Sequence, residues 1–166
     1  MIIIGNIQIN HPHSFIEARN KIRVLAELFA DDSVIPVRLA TATSQICRSL
    51  LRKNASPFIS VHIADDNNQT MLVLTVENGD LDQPSEQFGY FFDKVEKVHR
   101  SGGAHVVNLC KRLRGAAPSR EVIARARAVL QQKSRDELMA EVQDKNLELK
   151  TTVQAWSAPL KNEQHN

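Results

Sequence analysis

The chain has 166 residues, with 21 Lys and Arg against 19 Asp and Glu for a formal net charge of +2. That length suits one compact unit with an extension, and so balanced a charge gives no general affinity for nucleic acid. Only two cysteines occur, Cys47 and Cys110, neither with a partner at metal-ligand or redox spacing, which excludes a disulfide-stapled scaffold and a zinc module.

Residues 2–9 are rich in isoleucine and end at Asn10-His11-Pro12, a strand followed by a turn. This start lacks the basic flank of a signal peptide and the length of a membrane span, so a reducing cytoplasm is the expected compartment. Ser14-Phe15-Ile16-Glu17 reads as a capping box for a helix to about residue 30, with Ile22, Leu25, Ala26 and Phe29 as its buried stripe. Arg19, Asn20, Arg23 and Glu27 then face outward.

Asp31-Asp32-Ser33 breaks that helix and caps the next, which accepts Pro36 in its first turn. In this second helix Ala40, Ser44, Cys47 and Leu51 fall at helical spacing, forming a lean face suited to close approach to a sheet. Thr41, Gln45, Arg48 and Ser49 share another face. Neither Gln45 nor Ser49 is a base at neutral pH, and a lone hydroxyl is a weak ligand for Mg²⁺.

Ile59, Val61 and Ile63 alternate with Ser60 and His62, which predicts a strand with one wet face. Asp65-Asp66-Asn67-Asn68 is a hairpin connection, and residues 71–76 form an apolar run suited to a strand covered on both faces. Glu77-Asn78-Gly79-Asp80 closes it. His62 has no second ligand two residues away and reads as an ordinary strand-face histidine.

Pro84-Ser85-Glu86 predicts a helix holding Phe88, Phe91, Phe92, Val95 and Val98. After Ser101-Gly102-Gly103, residues 104–113 read as a further helix through Val106, Val107, Leu109 and Cys110. The glycine pair, with Arg100 and Lys111 near in sequence, suits either a phosphate cradle or a simple hinge. The cations Lys97, Arg100, Lys111, Arg112, Arg114, Arg120 and Arg125 have no interleaved aromatic residues to stack on bases, so they read as a solvated or protein-docking surface.

Gly115-Ala116-Ala117-Pro118 marks a boundary. Residues 119–133 form an Ala/Arg/Val helix, and Ser134-Arg135-Asp136-Glu137 is a second capping box launching a helix to about residue 157. Leu138, Val142, Leu149, Val153 and Trp156 make a seam with Lys145 at its missing position. Such a short heptad pattern leaves self-pairing and packing back onto the domain both open. Ala158-Pro159 is expected to end the helix before a polar tail.

Ala18-Arg19-x-x-x-Arg23-x-Leu25-Ala26 followed by Arg38-Leu39-Ala40-Thr41-Ala42-Thr43-Ser44-Gln45-Ile46-Cys47-Arg48 resembles the GHKL (Bergerat-fold) ATPases. Within that family the chain is most similar to the branch of anti-sigma-factor and stress-switch serine kinases, over residues 1–113. The resemblance implies a Glu base and an Asn Mg²⁺ ligand on the second helix, where this chain carries Gln45 and Ser49. It places Glu77 and Gly79 at the family's adenine-binding Asp-x-Gly-x-Gly motif, and Gly102 and Gly103 at its ATP lid.

The expected class is therefore α+β, a two-layer α/β sandwich resembling a truncated Bergerat fold, with about three strands and helices on one face. Residues 1–115 would form that domain, 116–158 a helical extension suited to coiled-coil dimerisation, and 159–166 a flexible tail. The implied function is a non-catalytic bacterial signalling protein that binds a phosphatase, kinase or phospho-switch antagonist. On that reading it needs no cofactor or metal, enters no membrane, has little use for nucleic acid, and dimerises through Leu138, Val142, Leu149, Val153 and Trp156. The alternative is an ATP-binding serine or histidine kinase-like enzyme whose Glu77, Gly79, Gly102 and Gly103 hold Mg-ATP.

Overall fold

A computed structural model of the chain describes residues 1–9, 13–51, 57–77, 81, 83–100, 105–114, 117–132 and 135–164. Among them the elements run β1 (Ile2–Gln8), α1 (His13–Phe29), α2 (Val34–Leu51), β2 (Phe58–Asp66), β3 (Gln69–Glu77) and α3 (Pro84–Phe88). The chain continues with β4 (Lys94–His99), β5 (His105–Arg112), α4 (Arg120–Gln131) and α5 (Arg135–Gln164). The class is α+β, as expected, with a five-stranded sheet in the order β1-β2-β3-β5-β4 and every neighbouring pair antiparallel. Two compact units divide the chain, Met1–Gln132 and Lys133–Asn166.

In α1 the buried positions are Ser14, Ala18, Ile22, Leu25, Ala26 and Phe29, which include the expected stripe. The helix begins at His13, so Ser14 lies inside its first turn and not before it. Asp32 caps α2 by accepting the Val34 N–H at 2.8 Å, satisfying one of the amides that a helix start leaves free. The buried face of α2 is Leu39, Ala42, Thr43, Ile46, Cys47 and Leu50, with Ala40 buried beside it. Ser44, expected on the lean face, is half-buried. Larger side chains one position earlier remove more apolar surface from water, which decides the rotation of the helix.

Alternation sets the sheet's two faces. Ile59, Val61 and Ile63 of β2 stand opposite Val76, Leu74 and Leu72 of β3, and all six join the core cluster with α1 and α2. Asn67 and Asn68 both have positive φ, 50° and 64°, the backbone of a two-residue type I′ hairpin that asparagine tolerates well. On the other face of β3, Met71 and Val73 cluster with Cys110 and Ala64. Beside them Thr75 Oγ1 donates to Asn108 Oδ1 at 2.8 Å, a cross-strand bond that keeps a buried hydroxyl partnered.

The sheet is larger than the sequence suggests, because β4 and β5 replace two expected helices. Val106, Val107, Leu109 and Cys110 fit a helical spacing, but equally a strand covered on both faces. The strand is formed because β3 would otherwise be a bare edge: Val76 pairs with Val107, and Leu74 with Leu109. Of the long aromatic helix only α3 exists. The amides of Phe91 and Phe92 turn back to the Phe88 carbonyl, and Asp93 N–H then donates to Cys110 O at 2.9 Å to open the β4–β5 ladder.

Past residue 115 the first unit continues through α4. Ser119 Oγ caps this helix by accepting the Val122 N–H at 3.2 Å, and Ile123, Ala126 and Leu130 are buried in the same core as the sheet. A Cβ at Gly5 would lie 3.2 Å from Leu130 Cδ1, so the missing side chain on β1 is what admits α4 this closely. In the second unit α5 runs to Gln164, carrying on through Pro159 where a stop and a free tail were expected. Pro159 has no backbone N–H and so removes one donor from the ladder of this helix.

Candidate functional site

The polar face of α2 forms as expected: Thr41, Gln45 and Arg48 are exposed and Ser49 is half-buried. Its hydroxyls are turned onto their own helix. Thr41 Oγ1 donates to Val37 O at 3.0 Å, and Ser44 Oγ to Ala40 O at 3.3 Å. The buried Thr43 does the same to Leu39 O at 2.7 Å. No acid stands on this face.

Glu77 ends β3 on the face opposite Val76, which is the residue that joins the core with Ile46 and Leu50 of α2. Both oxygens of its carboxylate are occupied there. Arg100 Nη1 donates to Oε1 at 2.6 Å and Ser60 Oγ to Oε2 at 2.9 Å. The Glu77 side chain is 15% exposed, so this charge-assisted pair is only partly screened by solvent. The structure thus leaves Gln45 and Ser49 on one side of the sheet and holds Glu77 on the other. Gly79, Gly102 and Gly103 lie outside the described residues.

The remaining titratable candidates are quiet. Burial pushes the Cys47 thiol up to about 12, far from the thiolate that nucleophilic or metal chemistry requires. Cys110 is raised for the same reason. His62 lies opposite Ile3 and Val73, and burial, helped by the Met1 ammonium, holds its imidazole below the usual value. Among the described residues no three His, Cys, Asp or Glu side chains converge as a metal site, and no helix is long and apolar enough to cross a membrane.

On α5 the seam residues Leu138, Val142, Leu149 and Val153 are between 48% and 63% exposed. The Trp156 side chain lies outside the described ones. Sequence reasoning missed Arg100 and Ser60 as partners of Glu77: the Arg100 contact depends on residues 94–99 being a strand, and the Ser60 contact on the register of β2 against β3. Val95 and Val98 stand three apart and residues 94–99 show no period-two alternation, so no periodicity marked β4 as a strand. Compared with protein-family models and with curated proteins, the chain gives no match to either.

Proposed function

We propose that this chain is a non-catalytic signalling protein, a GHKL-like scaffold that binds a partner protein and does not turn over ATP. On this reading Met1–Gln132 is a two-layer α/β unit, with α1, α2 and α4 on one face of the sheet. The observation that carries the proposal is the Glu77 carboxylate, committed to Arg100 and Ser60 and turned away from the polar face of α2. Phosphoryl transfer depends on positioned acids, cations and metal ligands. Here the base position is Gln45, the metal position is Ser49 and the adenine position is engaged within the sheet.

A partner such as a phosphatase, kinase or phospho-switch antagonist fits a scaffold with an intact core and a chemically neutral helix face. The exposed seam of α5 is assigned to a second copy of the chain, since a helix cannot shield such a stripe by itself.

Calorimetric titration of Mg-ATP, with the melting temperature followed in parallel, tests the reading. A nucleotide present at 100 times its Kd would add about 2.7 kcal/mol of stability. The expected outcome is that no part of the heat or the shift at millimolar Mg-ATP depends on Glu77, so that Glu77→Ala and the parent chain respond alike. Saturable binding that disappears in Glu77→Ala would favour the kinase-like alternative, with Mg-ATP as its cofactor.

A further inference from the structure

A cavity of about 600 Å³ opens where the first turns of α2, the β2–β3 hairpin and the end of β5 meet. It lies at the opposite end of β3 from Glu77, since Gln69 and Thr70 line it. Four cations border it, Arg38, Lys111, Arg112 and Arg114, against two carboxylates, Asp32 and Asp93.

Both carboxylates are already engaged. Asp32 Oδ1 accepts the Val34 N–H at 2.8 Å, and Asp93 Oδ2 accepts the Arg112 N–H at 2.7 Å with Lys111 Nζ 3.7 Å away. Arg38 lies over the Tyr90 ring, 5.3 Å from its centroid, a contact that steadies the guanidinium without neutralising it. Among the described residues no carboxylate forms an ion pair with the guanidinium of Arg38, Arg112 or Arg114. Three forked donors therefore border one concavity, with no anion of the protein's own assigned to them. Only Ile35 and Leu113 contribute apolar side chains to the lining.

We propose that this cavity is a binding site for a phosphorylated small molecule carrying adjacent negative charges, such as a diphosphate or a diphosphate ester. Planar guanidinium groups match phosphate oxygens two at a time. The volume lies in the range of small-ligand sites, and the scarcity of apolar lining argues against a peptide anchor. A nucleic acid strand would call for aromatic platforms beside the charges, whereas the ring nearest to hand is taken up by Arg38.

Amide-resolved NMR titration of the full chain with pyrophosphate and with ADP, against sulfate at equal ionic strength, tests this. Saturable shifts are expected at Asn68, Gln69, Arg112 and Arg114 with both phosphate compounds. The Arg38→Gln, Arg114→Gln double variant, at an unchanged melting temperature, is expected to bind at least about tenfold more weakly. Glu77→Ala should bind as the parent chain does. If the double variant loses stability, Arg114→Gln alone carries the comparison, because Arg114 is exposed and unpaired among the described residues.

Shifts that sulfate reproduces, shifts unaffected by the arginine changes, or no shift at millimolar ligand would each overturn the site. Shifts centred on Gln45 and Ser49 would put the diphosphate on the polar face of α2 instead. Binding of a phosphoserine peptide in the absence of pyrophosphate and ADP binding would also overturn it, in favour of a macromolecular ligand.

Discussion

Glu77 is the residue on which the functional reading turns, and its role is testable as structure. Its carboxylate accepts from Arg100 and Ser60, and removing it leaves the half-buried Ser60 hydroxyl without that acceptor. Because Arg100 is 58% exposed, the ion pair itself is worth little, and Glu77→Ala is expected to lower stability by about 1 kcal/mol. Urea denaturation measures this. His62 supplies a pH test. Its imidazole is held below the usual 6.5 by burial first and the Met1 ammonium second, so the neutral ring is the form that suits the fold. Its share of stability is therefore complete above 6.5 and is lost as pH falls through the lower folded value. The melting temperature should drop as pH falls below 6.5, and His62→Gln should flatten that slope.

Among the elements, α4 and the β4–β5 pair changed most between sequence and fold. An Ala/Arg/Val helix after a Gly/Pro boundary reads as an extension, yet Ile123, Ala126 and Leu130 are buried against β1 and α1. Leu130 meets the backbone at Gly5, a contact that leaves no alternative filling if the side chain is cut back. Leu130→Ala should cost about 2–4 kcal/mol, read as an earlier urea midpoint with unchanged slope. A loss below 1 kcal/mol would mean that α4 is peripheral. The β4 edge carries Lys94, Glu96 and Lys97 at neighbouring positions, charges that discourage strand addition by another chain. The β4 edge is thus an unsuitable place for self-association.

At the scale of the molecule, the two units make different demands. Met1–Gln132 has a core drawn from four strands and three long helices, enough to fold without the remainder. A chain ending at Gln132 should keep a cooperative melt, whereas one ending at Gly115 loses α4 and should not. Sedimentation equilibrium of the full chain against the 132-residue form tests the pairing assigned to α5. The full chain is expected to sediment as a dimer and the shorter one as a monomer. Identical monomer masses would remove α5 pairing from the proposal.

Local chemistry by itself determined α1, α2, β2 and β3. The signals were the apolar stripe of α1, Asp32 before α2, the alternation of Ile59, Val61 and Ile63, and two asparagines able to take positive φ between β2 and the apolar run of β3. The polar face of α2 was equally legible, since spacing alone assigns residues to a helix face. Only the tertiary structure decided the rest. Residues 105–112 satisfy a helix and a strand alike, and the exposed edge of β3 resolved the choice through pairs 107 and 109. That choice brought Arg100 to Glu77 and gathered Arg38, Lys111, Arg112 and Arg114 around one cavity. Periodicity records which way a side chain points within its own element, whereas the identity of its neighbour is fixed by which backbone edges must be paired.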